Sequence, residues 1–172
     1  MTLLRHGLIV ACATAMVFQA GCASKVTRPS VTEFDISLLV SPTVGGPISP
    51  VVADVRITNV GNTRVWHCAG CGCDGVELTV LGPDGNMVWL RDPRAVGPAC
   101  PPLVVPLEPG RDVAGRLVFT GTLFIGDQAT VPSPMYPAPA GTYTVVARFG
   151  YMTSVPGESI PLERRATFTW VP

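Results

Sequence analysis

The chain has 172 residues, the size of one domain with room for a real core. Twelve Lys and Arg balance twelve Asp and Glu, with two His, and that balance argues against nucleic acid as a partner and against electrostatic docking on a membrane. Eighteen Gly and eighteen Pro predict many turns and no long helix.

The chain opens MTLLRHGLIVACATAMVFQAGCASKV. Arg5 and His6 form a short basic start, and Gly7 to Ala20 is almost wholly apolar, Gln19 being the exception. The stretch is short for a bilayer span, which takes about 20 apolar residues, and its flanks suit a signal peptide, residues 1–21. Gln19-Ala20-Gly21-Cys22 resembles the lipobox of bacterial lipoproteins, in which small residues precede a cysteine that is lipidated and becomes residue one. Ala20, Gly21 and Cys22 match; Gln19 stands where Leu is usual, and ordinary signal-peptide cleavage is the alternative. The resemblance implies a lipid anchor on Cys22, held by roughly 0.8 kcal/mol per buried methylene. Ala23, rather than Asp, follows the cysteine, which implies the outer membrane, facing the periplasm.

Residues 22–30 form a tether, polar and without periodic pattern, carrying Pro29 and the lone lysine, Lys25. From residue 31 to 172 the pattern is that of strands. In VTEFDISLLV (31–40), Phe34, Ile36, Leu38 and Val40 alternate with Glu33, Asp35 and Ser37, the period-two mark of a half-buried strand. A Gly/Pro loop (41–50) follows, then VVADVRITNV (51–60), with Ala53, Val55 and Ile57 on one face. Gly61-Asn62 turns the chain into a strand at 64–68. GVELTVLGPDGNMVWLRD (75–92) has the form of a hairpin, with Pro83 presetting φ and Gly85 free to take φ > 0. Leu103–Leu107, broken by Pro106, has the form of an edge strand, and Glu108-Pro109-Gly110 turns it. Val113, Leu117 and Phe119 alternate with Arg116 and Thr120. A Pro-rich loop spans 126–140. TYTVVARFGY (142–151) is the clearest strand, and ATFTWV (166–171) is the last.

Seven to nine short strands with turn signals between them predict an all-β, Ig-like antiparallel β-sandwich. Tyr143, just after the Gly141 corner, has the position of a tyrosine corner; an ordinary core tyrosine is the alternative.

ITNVGN (57–62), GPDGNMVW (82–89), LEPG (107–110) and PAGTYTVVA (139–147) together resemble the BsuPI-type domain, named for an intracellular proteinase inhibitor of bacilli. The resemblance covers roughly residues 31–171 and implies an Ig-like antiparallel sandwich. Its motifs are mostly turn chemistry and core positions. No inhibitory residue of the family maps onto this chain, and the exported chain carries a cysteine cluster that the named inhibitor lacks.

That cluster is HCAGCGC, residues 67–73. With Cys12 in the signal peptide and Cys22 at the lipid site, four cysteines remain: Cys68, Cys71, Cys73 and Cys100. In an oxidising compartment, an even number predicts disulfides. All three connectivities pair Cys100 with one member of the cluster. Cys71–Cys73 closes a very small ring and is the least favourable local pair. That leaves Cys68–Cys71 with Cys73–Cys100, or Cys68–Cys73 with Cys71–Cys100. The alternative is a metal centre, since His67, Cys68, Cys71, Cys73 and Cys100 offer soft ligands for Zn²⁺ or Cu(I). Thiolate ligands require a reduced state that the periplasm opposes. A redox centre is disfavoured because no helix follows to lower a thiol pKa.

His67 is the only histidine once residues 1–21 are removed, so any triad would have to use it. No nucleophile elbow, phosphate loop or dinucleotide fingerprint is present. Trp66, Trp89 and Trp170 are expected in the core, a carbohydrate or peptide platform being the alternative, and Met135 and Tyr136 in the Pro-rich loop are the contact candidates. The sequence thus predicts a non-enzymatic envelope lipoprotein without a cofactor or nucleic-acid partner. A membrane anchor and a protein partner, an envelope protein or a protease, complete the expectation.

Overall fold

The computed structural model describes residues 33–69, 75–88, 90, 103–124 and 135–172. The expected signal peptide (1–21), Cys22 and the expected tether (22–30) lie outside these residues, as do Trp89, Cys71, Cys73 and Cys100.

The alternating stretches form β1 (Phe34–Ser41), β3 (Val51–Asn59) and β8 (Asp112–Phe119). They make an antiparallel sheet in the order β1-β3-β8. Its inner face carries Phe34, Ile36, Leu38 and Val40 opposite Asn59, Ile57, Val55 and Ala53. Charged residues occupy the outer face, where solvent solvates them at no cost in burial.

The second sheet is built around β11 (Gly141–Met152), which pairs along its whole length with β12 (Ile160–Trp170). Its other edge is shared between β4 (Val65–Ala69) and β5 (Glu77–Leu81). Beyond these lie β7 (Leu103–Leu107) against β4, and β6 (Met87–Val88) against β5. A small hairpin of β9 (Thr122–Phe124) and β10 (Met135–Pro137) stands apart. The result is an all-β sandwich, and no described residue lies in a helix long and apolar enough to cross a membrane.

Three elements differ from the sequence expectation. The last strand begins at Ile160, six residues before the predicted start, because Arg164 stands exposed at a core-facing position between Leu162 and Ala166 and breaks the alternation. The end of the predicted 126–140 loop is not loop but the strand β10. Within the 41–50 loop, β2 (Val44–Gly45) pairs in parallel with the end of β12, the one parallel pairing among the described residues. The chain after β1 thereby crosses from one sheet to the other.

The core has two halves. One gathers Phe119, Tyr143, Phe168 and Trp170 with Val51, Ala53 and Val145. The other gathers Phe34, Phe149 and Tyr151 with Val55, Ile57, Val65 and Leu162. Leu38 and Leu78 pack against both. Trp170 has edge-to-face contact with Phe119, centroids 5.0 Å apart, and lies over Gly121 so closely that a Cβ there would collide with the indole. Among the tryptophans expected in the core, Trp170 is buried, while Trp66 is half-buried on the outer face.

Candidate functional site

The ladder along β11 is interrupted at the cysteine cluster. Tyr151 faces His67 and Met152 faces Trp66. Continued at that register, residue 70 would face Arg148, but Glu77 does. The ladder therefore skips seven residues, 70–76. The outer line is described at Val80↔Val88 and again at Ala69↔Leu103. The chain between these pairs holds Cys71, Cys73 and Cys100, which lie outside the described residues.

On β4 the side chains alternate, so His67 and Cys68 point to opposite faces of the sheet. His67 turns inward and is 7% exposed. Its ring lies 5.6 Å from that of Phe149, and a Cβ on Gly75 would sit 3.0 Å from its Cε1. His67 Nδ1 lies 3.1 Å from the Cys68 carbonyl oxygen. Because a carbonyl only accepts, Nδ1 is the donor in this bond. The three candidate disulfide partners of Cys68, namely Cys71, Cys73 and Cys100, lie outside the described residues. No group of three His, Cys, Asp or Glu side chains among the described residues is placed to hold a metal ion. The opposed directions of His67 and Cys68 count against their sharing one.

Two polar residues of the core act as locks. Asn59, buried at the end of β3, donates from Nδ2 to the carbonyls of Thr63 at 2.8 Å and Leu107 at 3.1 Å. Its Oδ1 accepts from the Gly61 N–H. Its backbone binds both sides of the 108–111 turn, through Gly110 and Arg111. Gly110 has φ 74°, a conformation that favours glycine. The ITNVGN and LEPG segments are thus parts of one junction. At the opposite end, the Tyr143 hydroxyl donates to the Pro139 carbonyl at 2.8 Å, the tyrosine-corner bond. Burial pushes its pKa up, with Tyr136 and Asp84 adding to the effect. There Gly141 comes so close to the Pro83 ring that a Cβ would overlap it, which joins the GPDGN turn to the PAGTY segment.

Met135 and Tyr136 lie on this end too, across from Phe124 and Leu123. They are 66% and 39% exposed, though Leu123 beneath them is buried.

The outer face of β1-β3-β8 bears cross-strand ion pairs. Arg116 grips Asp54 through two hydrogen bonds, 2.6 and 3.0 Å, and holds its carboxyl below the ordinary value. Arg56 lies 3.6 Å from Asp112. Between these pairs runs an open trough of about 490 Å³ bordered by Ser37, Leu39 and Ala114. On the other sheet, Glu163 accepts from Arg165 and Arg148, and both lower its pKa, Arg165 the more. In the sequence Asn59 stood out only as part of the ITNVGN segment; its signal was an Asn inside an otherwise apolar strand end. The cross-strand pairs carried no sequence signal without the register.

No family model and no curated protein matches this chain. Among solved structures, the ApaA protein of Bordetella pertussis is similar at 11% identity and TM-score 0.41, covering 80% of this chain and 91% of that one. A β-glucosidase from Listeria innocua in complex with glucose is similar at 10% identity and TM-score 0.38, over 80% of this chain. A β-glucosidase from Erythrobacter marinus is similar at 14% identity and TM-score 0.39, also over 80% of this chain. The chain spans only 16% and 15% of those two enzymes. At these values none of the three assigns a family or an activity.

Proposed function

We propose that the chain is a non-enzymatic lipoprotein of the cell envelope. Cys22 anchors it to the outer membrane, facing the periplasm. Its sandwich, stapled by disulfides among Cys68, Cys71, Cys73 and Cys100, serves as a protein-interaction module. One observation carries the reading. Side chains with chemistry to offer are engaged within the fold: His67 in the core, Asn59 and Tyr143 in locks. The exposed apolar pair, Met135 and Tyr136, sits on a pinned hairpin, the kind of placement that binding surfaces use.

The disulfide arrangement draws support from chain length. Cys71 is two residues beyond Ala69, and Cys100 three before Leu103, its ladder partner. At 3.8 Å per residue, both stay within reach of one another. The long-range bond of the two closes a loop of roughly 30 residues and contributes about 3–4 kcal/mol on the chain-entropy model. Intact mass of the exported protein, without reductant, is expected to show lipid on Cys22 and a loss of four hydrogens. Free thiols with zinc or copper mass would instead make the cluster a metal centre. Capture from cell envelopes with the anchor intact is expected to recover a partner. The pair Met135→Asp and Tyr136→Ala should lose it, and a partner retained by that variant would remove the hairpin from the reading.

A second reading, BsuPI-type kinship with proteinase inhibition, is favoured by the paired junctions. All four motif segments meet in twos, at Asn59 and at Gly141. A panel of serine proteases that keep full activity at stoichiometric excess of the chain would end it.

A further inference from the structure

The edge of β8 facing away from β3 has no ladder partner among the described residues. Asn59 donates its N–H to the Arg111 carbonyl and accepts from the Gly110 N–H, so its backbone addresses the β8 side. Backbone groups alternate along a strand. Hence Val51, Ala53, Val55 and Ile57 also address β8, and their partners Phe119, Leu117, Gly115 and Val113 address β3. The N–H and C=O of Asp112, Ala114, Arg116 and Val118 are left pointing to the free edge. The β3–β8 register runs unbroken from Val51↔Phe119 to Thr58↔Asp112, and β8 contains no proline. The usual devices that blunt an edge, a bulge or a proline, are absent from it.

Its charges are arranged for one partner. A two-fold axis through Ala114 sets Asp112 opposite Arg116 of a second copy, twice, with Ala114 opposite Ala114. An axis through Gly115 sets Asp112 opposite Val118 and Ala114 opposite Arg116. An axis through Arg116 sets like charges together. Only the first register matches opposite charges, and it pairs residues whose backbone groups already face the edge. Asp112, Ala114 and Arg116 are all exposed on the outer face. Arg116 is paired to Asp54 within its own sheet, so the joined sheets carry a row Asp54, Arg116, Asp112 of alternating sign.

We propose that two copies of this chain pair antiparallel through β8, about a two-fold axis at Ala114, to form one continuous six-stranded sheet. Three facing residue pairs supply about six backbone hydrogen bonds, and cross-strand opposite charges fix the register. This goes beyond the interaction reading above, which concerns a different protein at the Met135–Tyr136 hairpin.

Proline at 114 is the sharpest probe. The Ala114 N–H serves no ladder within the fold, so Ala114→Pro leaves the sandwich intact and removes two central bonds of the joint. Sedimentation of the full chain, purified in detergent with its anchor, is expected to give twice the monomer mass. Ala114→Pro should weaken self-association at least tenfold, with unchanged circular dichroism. The second measurement needs no proline. Asp112→Arg and Arg116→Asp are each expected to be monomeric, yet to form a mixed dimer when combined, since each then presents the other's opposite charges. A monomeric wild-type chain at about 100 μM overturns the proposal. So does a dimer that survives Ala114→Pro, or a pair of charge variants that fail to combine.

Discussion

Asn59 carries more of the fold than any charged residue described. Its amide satisfies two buried or half-buried carbonyls and one N–H, joining the end of β3 to the end of β7. Each buried polar group left without a partner costs about 1–3 kcal/mol. Asn59→Ala strands the Leu107 and Thr63 carbonyls at once, while the Gly61 N–H keeps the Glu33 carbonyl as its acceptor. It is expected to cost about 2–4 kcal/mol, read as a lower urea midpoint at unchanged slope. Asn62→Ala, three residues on and exposed, is expected to stay within about 0.5 kcal/mol. The motif NVGN was visible in the sequence, but its role was not. An Asn in a turn motif ordinarily serves its own turn; that this one reaches 48 residues along the chain depends on where β7 lies. Tyr143 was legible for the opposite reason, since its acceptor is local, four residues upstream.

At the scale of elements, the sequence was strongest where alternation was clean. β3 and β11 were placed to within a residue at each end, and β1 to within three, because each buries one face and exposes the other. β12 was half-missed. Arg164 falls on the core-facing side, opposite Ala147, yet is exposed. It lies between Leu162 of one core half and Ala166 beside the other, so the pattern breaks where the core itself divides. The inner hairpin, 75–92, was legible and β5 pairs with β6 as expected; the strands at 64–68 and 103–107 were read as separate because the segments between break the pattern. The register makes β4 with β5, and β7 with β6, two lines of a single hairpin. Removing 70–76 and 92–102 together joins Ala69 to Glu77 and residue 91 to Leu103 without shifting any ladder. That double deletion is expected to fold, weakened by loss of the buried Val76, about 1.5–3 kcal/mol, and by loss of the proposed long-range disulfide, about 3–4 kcal/mol. Removing only one segment should be worse than removing both, because it leaves the two lines of unequal length. Unfolding midpoints of the three variants decide the matter; a double deletion that fails to fold while a single one folds would sink the register argument.

For the whole molecule, the two core halves set how stability depends on pH. Tyr143 lies in one half and Tyr151 in the other, and burial raises the pKa of both. A phenol whose folded pKa lies above its unfolded value of about 10 contributes its full stability below pH 10. Above that, the unfolded chain loses its phenol protons first, and the contribution disappears as pH climbs through the folded pKa values. The acid side has the opposite sign and a lesser weight. Asp54 and Glu163 have lowered pKa values from their arginines, so their stabilisation is present above the ordinary carboxylate value, near 4, and fades as pH falls below it. Both pairs stand on exposed outer faces, where solvent and salt screen them. The expected profile is a broad plateau from about pH 5 to 10, a shallow and salt-sensitive decline on the acid side, and a steep alkaline edge. Tyr143→Phe and Tyr151→Phe each remove one of the two alkaline contributions. Because the tyrosines sit in separate halves without shared ring contacts, the changes should add. The double variant is therefore expected to be less stable at neutral pH, through the lost Tyr143 bond to Pro139, and yet to have the flatter alkaline limb. An alkaline edge that keeps its slope in the double variant would place its origin elsewhere in the molecule.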